Sequence, residues 1–254
     1  MSEQAQVVCL LVSHDGASWL PNVLDGLQAQ TAPVDAVIAV DTGSRDGSAD
    51  LIEQRLTGQV PFELRRRPAE TSFPAAIADG LQTLTSSGLG TEWIWILHDD
   101  ANPDPGALAA LLDAAAAHPH ADILGPKLRE WPSLRRLLEV GVTISGTGRR
   151  ETGLERGEYD QGQHDEVREV LAVNTAGMLV RASVLEELGG FDETLAMFGN
   201  DIDFGWRAAA TGRTTLVVPD AVVFHAEAAH RGVRRTPLTG APIPDGASTT
   251  RPGL

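Results

Sequence analysis

Five aspartates stand where apolar runs give out. Asp41 follows Ala36-Val37-Ile38-Ala39-Val40, and Asp99 and Asp100 follow Trp93-Ile94-Trp95-Ile96-Leu97 with only His98 between. Asp201 and Asp203 come after the apolar stretch that ends at Gly189-Gly190-Phe191-Asp192. In an open α/β sheet the carboxyl ends of parallel strands line one crevice, and ligands bind there. Carboxylates brought repeatedly to such a crevice suit a divalent cation and a polar, sugar-like or nucleotide-like ligand. Neighbouring acids such as Asp99 and Asp100 repel each other, and a divalent cation is the usual compensation. An EF-hand loop is excluded: counted from Asp100, the sixth position is Pro105 rather than glycine and the twelfth is Leu111 rather than glutamate.

Each segment also has an ordinary structural reading. Asp41-Thr42-Gly43-Ser44-Arg45-Asp46-Gly47-Ser48 reads equally as a ligand loop and as a strand-to-helix turn with a cap. It lacks the G-x-G-x-x-G dinucleotide fingerprint. The helix dipole alone accounts for Asp201 and Asp203 at the start of a helix. His225, at the end of Val222-Val223-Phe224, is a ligand or a structural histidine on local grounds.

The elements that must position these residues alternate. Strands are expected at Val7–Val12, Ala36–Val40, Phe62–Arg66, Trp93–Leu97 and Asp122–Gly125. Helices are expected at Ala17–Gln30, from Asp46 or Ser48 to Leu56, at Pro74–Leu84, and from Pro105, capped by Asp104, to Ala117. This βαβ rhythm predicts an α/β fold, a mostly parallel sheet with helices on both faces. Between Pro126 and Val170 charge and glycine increase, which predicts antiparallel strands and long loops able to carry a substrate lid. Regularity returns with Ala176–Val180, a helix at Ser183–Leu188, a helix from Asp201 to Ala210 closed by Gly212, and strands at Thr214–Val218 and Ala221–Phe224. From Pro237 onward periodicity is lost, and 237–254 reads as a disordered tail or linker.

The chain has 254 residues, 42% hydrophobic content and a formal net charge of −15. That supports one sizeable domain over 1–236, with a ligand half at about 1–125 and a second half at about 126–236. The charge disfavours nucleic acid as a partner. A single cysteine, Cys9, permits no intramolecular disulfide, and no run approaches the ~20 apolar residues that span a bilayer. A cytoplasmic chain is expected. Basic residues cluster at Arg65-Arg66-Arg67, Arg135-Arg136, Arg149-Arg150 and Arg231 with Arg234-Arg235. Solvated faces account for most of them. The last cluster also fits attraction to the cytoplasmic face of a membrane, with a C-terminal region that continues beyond Leu254.

Taken in order, the motifs resemble the family 2 inverting glycosyltransferases of GT-A fold. The resemblance rests on Leu11-Val12-Ser13-His14-Asp15-Gly16, Val40-Asp41-Thr42-Gly43-Ser44-Arg45-Asp46-Gly47-Ser48 and His98-Asp99-Asp100-Ala101-Asn102-Pro103-Asp104. Ala176-Gly177-Met178-Leu179-Val180-Arg181, Gly189-Gly190-Phe191-Asp192-Glu193 and Asn200-Asp201-Ile202-Asp203 with Arg207 complete it, over roughly residues 5 to 230. It is similar most of all to bacterial cell-envelope enzymes that transfer rhamnose or galactofuranose, which implies a role in cell-wall or surface polysaccharide synthesis.

The resemblance implies transfer of a sugar, with inversion, from a UDP- or dTDP-linked donor to a hydroxyl of a glycan or lipid-linked acceptor. It implies Asp201 as general base and Asp41 as the acid that reads the nucleotide base. Ser13, Asp99, Asp203 and Arg207 are expected to contact substrate, and Asp100, His225 and His98 to hold a divalent cation. His98 stands where the family's D-x-D motif begins with aspartate, which favours Mn²⁺ over Mg²⁺. Two rivals stand beside this reading. A sugar nucleotidylyltransferase would share the sheet, but Ser13-His14-Asp15-Gly16-Ala17 lacks its basic triphosphate loop. A non-catalytic sugar-nucleotide or glycan-binding module would bind without turnover.

Overall fold

A computed structural model describes residues 6–234 and 238. In chain order the elements begin β1 (Val7–Ser13), α1 (Leu20–Gln28), β2 (Ala36–Asp41), α2 (Ser48–Leu56), β3 (Phe62–Arg66), α3 (Phe73–Ser87) and β4 (Trp93–His98). They continue with β5 (Ala101–Pro103), α4 (Ala107–Ala117), β6 (Ala121–Glu130), β7 (Leu137–Glu139), β8 (Thr143–Ile144), β9 (Arg150–Glu151) and β10 (Arg168–Val170). The last are β11 (Leu179–Arg181), α5 (Ala182–Glu187), α6 (Asn200–Ala210) and β12 (Thr214–His225).

The main sheet runs β10-β12-β6-β11-β4-β1-β2-β3. Its β3-β2-β1-β4 half is parallel, and β6 is parallel to β12. Between the halves β11 runs antiparallel to both neighbours. Alternation along each strand divides the core. Cys9, Leu11, Trp95 and Leu97 face α1, α2 and α4, whereas Leu10, Ile38, Ile94 and Ile96 face α3, α5 and α6. With both faces covered, the central strands β1, β2 and β4 read as continuous apolar runs rather than alternating ones.

Several boundaries differ from the sequence-based expectation. Helix α1 starts at Leu20 because Gly16 O first accepts from Trp19 N and Leu20 N in a turn. Asp104 makes a turn, accepting from Gly106 N at 3.2 Å, so α4 begins at Ala107 rather than Pro105. Strand β6 runs on to Glu130 through Pro126, which sits at the register shift opposite Val218 and Val222, where a missing N–H is tolerated. The two strands expected at 214–218 and 221–224 are one bulged strand, β12. Ala176 and Gly177 precede β11 rather than belonging to it. Between the strand expected to end at Leu97 and the helix expected from Pro105 lies a further strand, β5, which pairs antiparallel with the end of β12. Among the described residues, no helix is long and apolar enough to cross a membrane. Arg235 and the 237–254 tail, Leu238 apart, lie outside the described residues.

Helix α6 is seated closely. A Cβ on Gly205 would lie 2.3 Å from Leu171 O, a backbone atom that cannot swing away. Gly205→Ala should therefore cost about 1–3 kcal/mol despite alanine's higher helix propensity. Thermal denaturation should show a melting point lower by roughly 2–10 °C. An unchanged melting point would mean that α6 shifts freely on its bed.

Candidate active site

Parallel register sets the first wall. Ser13 lies beside Asp41 across β1 and β2, and Val12 lies beside His98 across β1 and β4. The loops after β1 and β2 are stitched together: Gly16 N donates to Ser48 Oγ at 2.8 Å, Ala17 N to Asp46 Oδ2 at 2.9 Å, and Arg45 N to Asp15 Oδ1 at 2.7 Å. A cleft of about 610 Å³ opens above these strand ends. His14, Thr42, Asp99, Asp100, Asp201 and Arg234 are among its lining residues.

The expected residues fall into three sets. The first converges as a possible metal centre. Ligand atoms of His98, Asp100 and His225 lie within 4.8 Å of one another. Pairing of β5 with β12 sets Ala101 opposite His225, so Asp100 meets the end of β12. His225 Nε2 lies 3.2 Å from Asp100 Oδ1, and Ala228 N donates to Asp100 Oδ2 at 2.8 Å. His98 Nε2 lies 3.0 Å from Thr175 Oγ1. Burial, then the nearby His225 charge, pushes the His98 pKa down to about 3, so its ring is neutral and free to ligate. Burial opposes ionisation of Asp100, but the His225 and Arg234 charges outweigh it and hold its carboxyl below the usual range. His225 moves the other way: burial disfavours its charge, yet Asp100 prevails and raises its pKa.

The second set supports this centre from behind. Asp99 accepts from Ser13 Oγ at 3.0 Å and His14 N at 2.8 Å through Oδ2, and its Oδ1 lies 2.7 Å from Arg234 Nη2. Gly16 must remain glycine here, because a Cβ would lie 2.1 Å from Asp99 Oδ2. The Ser13 hydroxyl is thus engaged inside the protein. Asp41 accepts from Gly43 N at 3.1 Å and Ser44 N at 3.0 Å, folding its own loop, and is itself buried. On that side His14 and Thr42 reach the cleft, whereas Asp41 is not among its lining residues.

The third set stands on α6. Asp201 lines the cleft, whereas Asp203 pairs with Arg207 at 2.7 Å. Arg207 donates onward to Leu188 O at 2.8 Å and Gly190 O at 2.9 Å. Asp203 and Arg207 thus hold the Gly189-Gly190 turn against α6 and are not among the residues that line the cleft.

Arginines supply what sequence reading missed. Arg234, grouped by sequence with surface or membrane-facing basic residues, turns inward onto Asp99 and lies over the Trp19 ring, 4.9 Å from its centroid. Arg231 pairs with Glu130 and Glu227. Arg150, expected on a solvated face, stands between Glu139 and Asp201. The basic clusters were visible in sequence, but apart from Glu227, four residues from Arg231, their carboxylate partners lie between 11 and 135 residues away, where no periodicity reveals them.

Comparison with known proteins bears on the family and the fold. Residues 5–236 match the family described as glycosyltransferase like family 2. An N-acetylglucosaminyl-diphospho-decaprenol L-rhamnosyltransferase of Mycobacterium tuberculosis is 30% identical over 247 residues, covering 87% of this chain and 76% of that protein. Galactofuranosyltransferase GlfT1 of Mycolicibacterium smegmatis is 26% identical over 212 residues, covering 82% of this chain and 67% of that one. The fold is shared with GalNAc-T7, solved with UDP, GalNAc and Mn²⁺, at a TM-score of 0.67 and 13% identity, covering 89% of this chain and 44% of that one. It is shared also with a mannosyltransferase of Pyrobaculum calidifontis, solved with GDP-Man and Mn²⁺, at a TM-score of 0.64 and 18% identity, covering 89% of this chain and 58% of that one. This chain therefore spans only about half the length of those two solved chains.

Proposed function

The chain belongs to glycosyltransferase family 2, and from that premise we propose that it is an inverting, metal-dependent transferase that moves a sugar from a nucleoside diphosphate to a hydroxyl of a lipid-linked glycan in envelope polysaccharide synthesis. The observation that carries this reading is the shared cleft: the His98–Asp100–His225 cluster and the Asp201 carboxylate line the same cavity. One place suits the diphosphate and the other suits the acceptor hydroxyl.

The donor set fits a borderline divalent ion. Two imidazole nitrogens and one carboxylate favour Mn²⁺ over the oxygen-loving Mg²⁺. Held by His98, Asp100 and His225, such an ion would neutralise charge gathering on the leaving diphosphate. Arg234 adds a second cation beside Asp99, within reach of the same charge. Asp201 takes the acceptor O–H proton as that oxygen bonds to the anomeric carbon. The bond from that carbon to the donor phosphate oxygen breaks on the opposite side, and its electron pair leaves with the nucleoside diphosphate. Attack from the face opposite the leaving group inverts the centre.

Asp41 is the base-reading acid in this scheme, acting at the floor of the loop that presents Thr42. Asp41→Ala should weaken UDP or dTDP binding by about tenfold, the scale of one charge-assisted hydrogen bond, in calorimetry. A pyrimidine diphosphate should bind better than GDP. Equal affinities for UDP, dTDP and GDP, unchanged in the variant, would remove Asp41 from this role.

The reaction itself is tested with a panel of UDP- and dTDP-linked sugars, including rhamnose and galactofuranose, and N-acetylglucosaminyl-diphospho-decaprenol as acceptor. Product of inverted configuration, formed only with a divalent ion, supports the reading. Retention of configuration or full turnover in excess chelator overturns it. A nucleotidylyltransferase would instead consume a nucleoside triphosphate, and a binding module would bind donor with no product.

A further inference from the structure

Asp201 has one charged partner among the described residues. Arg150 Nη2 lies 3.5 Å from Asp201 Oδ2, and the same nitrogen donates to Glu139 Oε2. No other hydrogen bond to the Asp201 side chain is present among those residues, so nothing else fixes the direction of its carboxylate. Side-chain exposure is 5% for Glu139, 14% for Asp201 and 40% for Arg150, so the arginine that bridges the two acids is the most exposed of the three.

Glu139 is anchored firmly. Its Oε1 accepts from Asn174 N at 3.0 Å, and β7, which carries it, pairs with β6 opposite Leu128. Burial, reinforced by the negative Asp201, raises the Glu139 pKa, although Arg150 opposes the shift. Arg150 reaches this place from β9, in the small β8-β9 ribbon of the glycine-rich insertion. The next residue after Asn174, Thr175, holds His98. One connected path thus runs from the metal cluster to the carboxylate at the head of α6.

We propose that Arg150, held by Glu139, is a positioning residue that aims the Asp201 carboxylate at the acceptor hydroxyl, so that the insertion between β6 and β10 completes the active site rather than only covering it. The inference rests on Asp201 being the general base. A guanidinium suits the task because its rigid fork can engage two carboxylates at once, which an ammonium point charge does less well. A catalytic group needs such support, since a misplacement of about 1 Å can cost about 10²-fold in rate.

The test is a double-mutant cycle on the full chain, with the donor of highest turnover in the panel above and N-acetylglucosaminyl-diphospho-decaprenol. Arg150→Gln should lower kcat by about 10- to 100-fold while the donor KM stays within about twofold. Arg150→Lys should recover part of that loss. In the Asp201→Asn background, Arg150→Gln should cost nothing further, because it acts only through the missing carboxylate. A purely structural Arg150 would instead lower the melting point and multiply with Asp201→Asn, and that result overturns the proposal. So does a loss confined to acceptor KM, which would make Arg150 a substrate contact. If Asp201→Asn alone keeps near-native transfer, the base assignment fails and takes this inference with it. If Asp201→Asn is inactive while Arg150→Gln is not, only this inference fails. Crystals read the point without turnover: the Asp201 carboxylate should turn away from its native direction in Arg150→Gln or, if that variant does not fold, in Arg150→Lys. An unmoved carboxylate overturns the proposal.

Discussion

Replacing Asp201 by asparagine should slow transfer by about 10²-fold or more while leaving UDP or dTDP affinity within about twofold. An acceptor hydroxyl is a poor nucleophile at neutral pH, and its proton must leave as the new bond forms. Asparagine keeps the shape of aspartate but cannot take that proton. Nucleotide binding should be spared, because Asp41 ends β2 and Asp99 and Asp100 follow β4, whereas Asp201 stands on α6. Asp203→Asn is the instructive comparison. Its effect should fall mainly on stability, since Asp203 holds Arg207 and, through it, the carbonyls of Leu188 and Gly190. Steady-state kinetics and calorimetry on the two variants decide the matter. Near-native transfer by Asp201→Asn together with an inactive Asp203→Asn would show that the wrong acid has been chosen.

Three strands of the parallel half were legible in sequence because they are buried on both faces and read as unbroken apolar runs, unlike the half-buried edge strand β3. Val7–Ser13, Ala36–Asp41 and Trp93–His98 are all of this kind, and each begins where the sequence places it. The acidic strand ends were legible for the same reason: a carboxylate after five apolar residues marks where a strand leaves the core. Pairing across long sequence separations was not legible. Ala101–Pro103 is too short to announce itself as a strand, yet its ladder with β12 is what carries His225 to Asp100, 125 residues away. Arg150 and Arg234 look like solvated charges because arginine's type says nothing of its partner. Their roles follow from a ribbon and a terminal segment folding back over the cleft, which tertiary packing decides and local pattern does not. Asp41 gives the opposite lesson. The motif draws it toward the ligand, whereas the fold first uses its carboxylate to close its own loop, leaving Thr42 at the surface of the cleft.

Asp100→Asn and His225→Ala should each lower Mn²⁺-dependent turnover by about 10²- to 10³-fold, a loss of roughly 3–4 kcal/mol in transition-state stabilisation. Three side chains are a sparse ligand set, so the ion should bind tightly only when diphosphate oxygens add to them. Titrating Mn²⁺ by electron paramagnetic resonance should show one site with UDP or dTDP present and far weaker binding without it. Protons compete for the same atoms. His225 has its pKa raised above the ordinary 6.5, because the neighbouring Asp100 charge outweighs the burial that disfavours its charged form. In the metal-free protein the His225–Asp100 ion pair therefore stabilises the fold below pH 6.5, and that contribution fades as pH climbs through the raised value. Metal binding has the reverse dependence, since the imidazole must lose its proton to ligate. The thermal shift produced by Mn²⁺ with UDP or dTDP should accordingly grow from about pH 6 to pH 8 in the native chain. His225→Ala should flatten that growth, while His98, already neutral through burial, contributes no titration in the window. A shift independent of pH, or one retained in Asp100→Asn, would place the ion away from the end of β12.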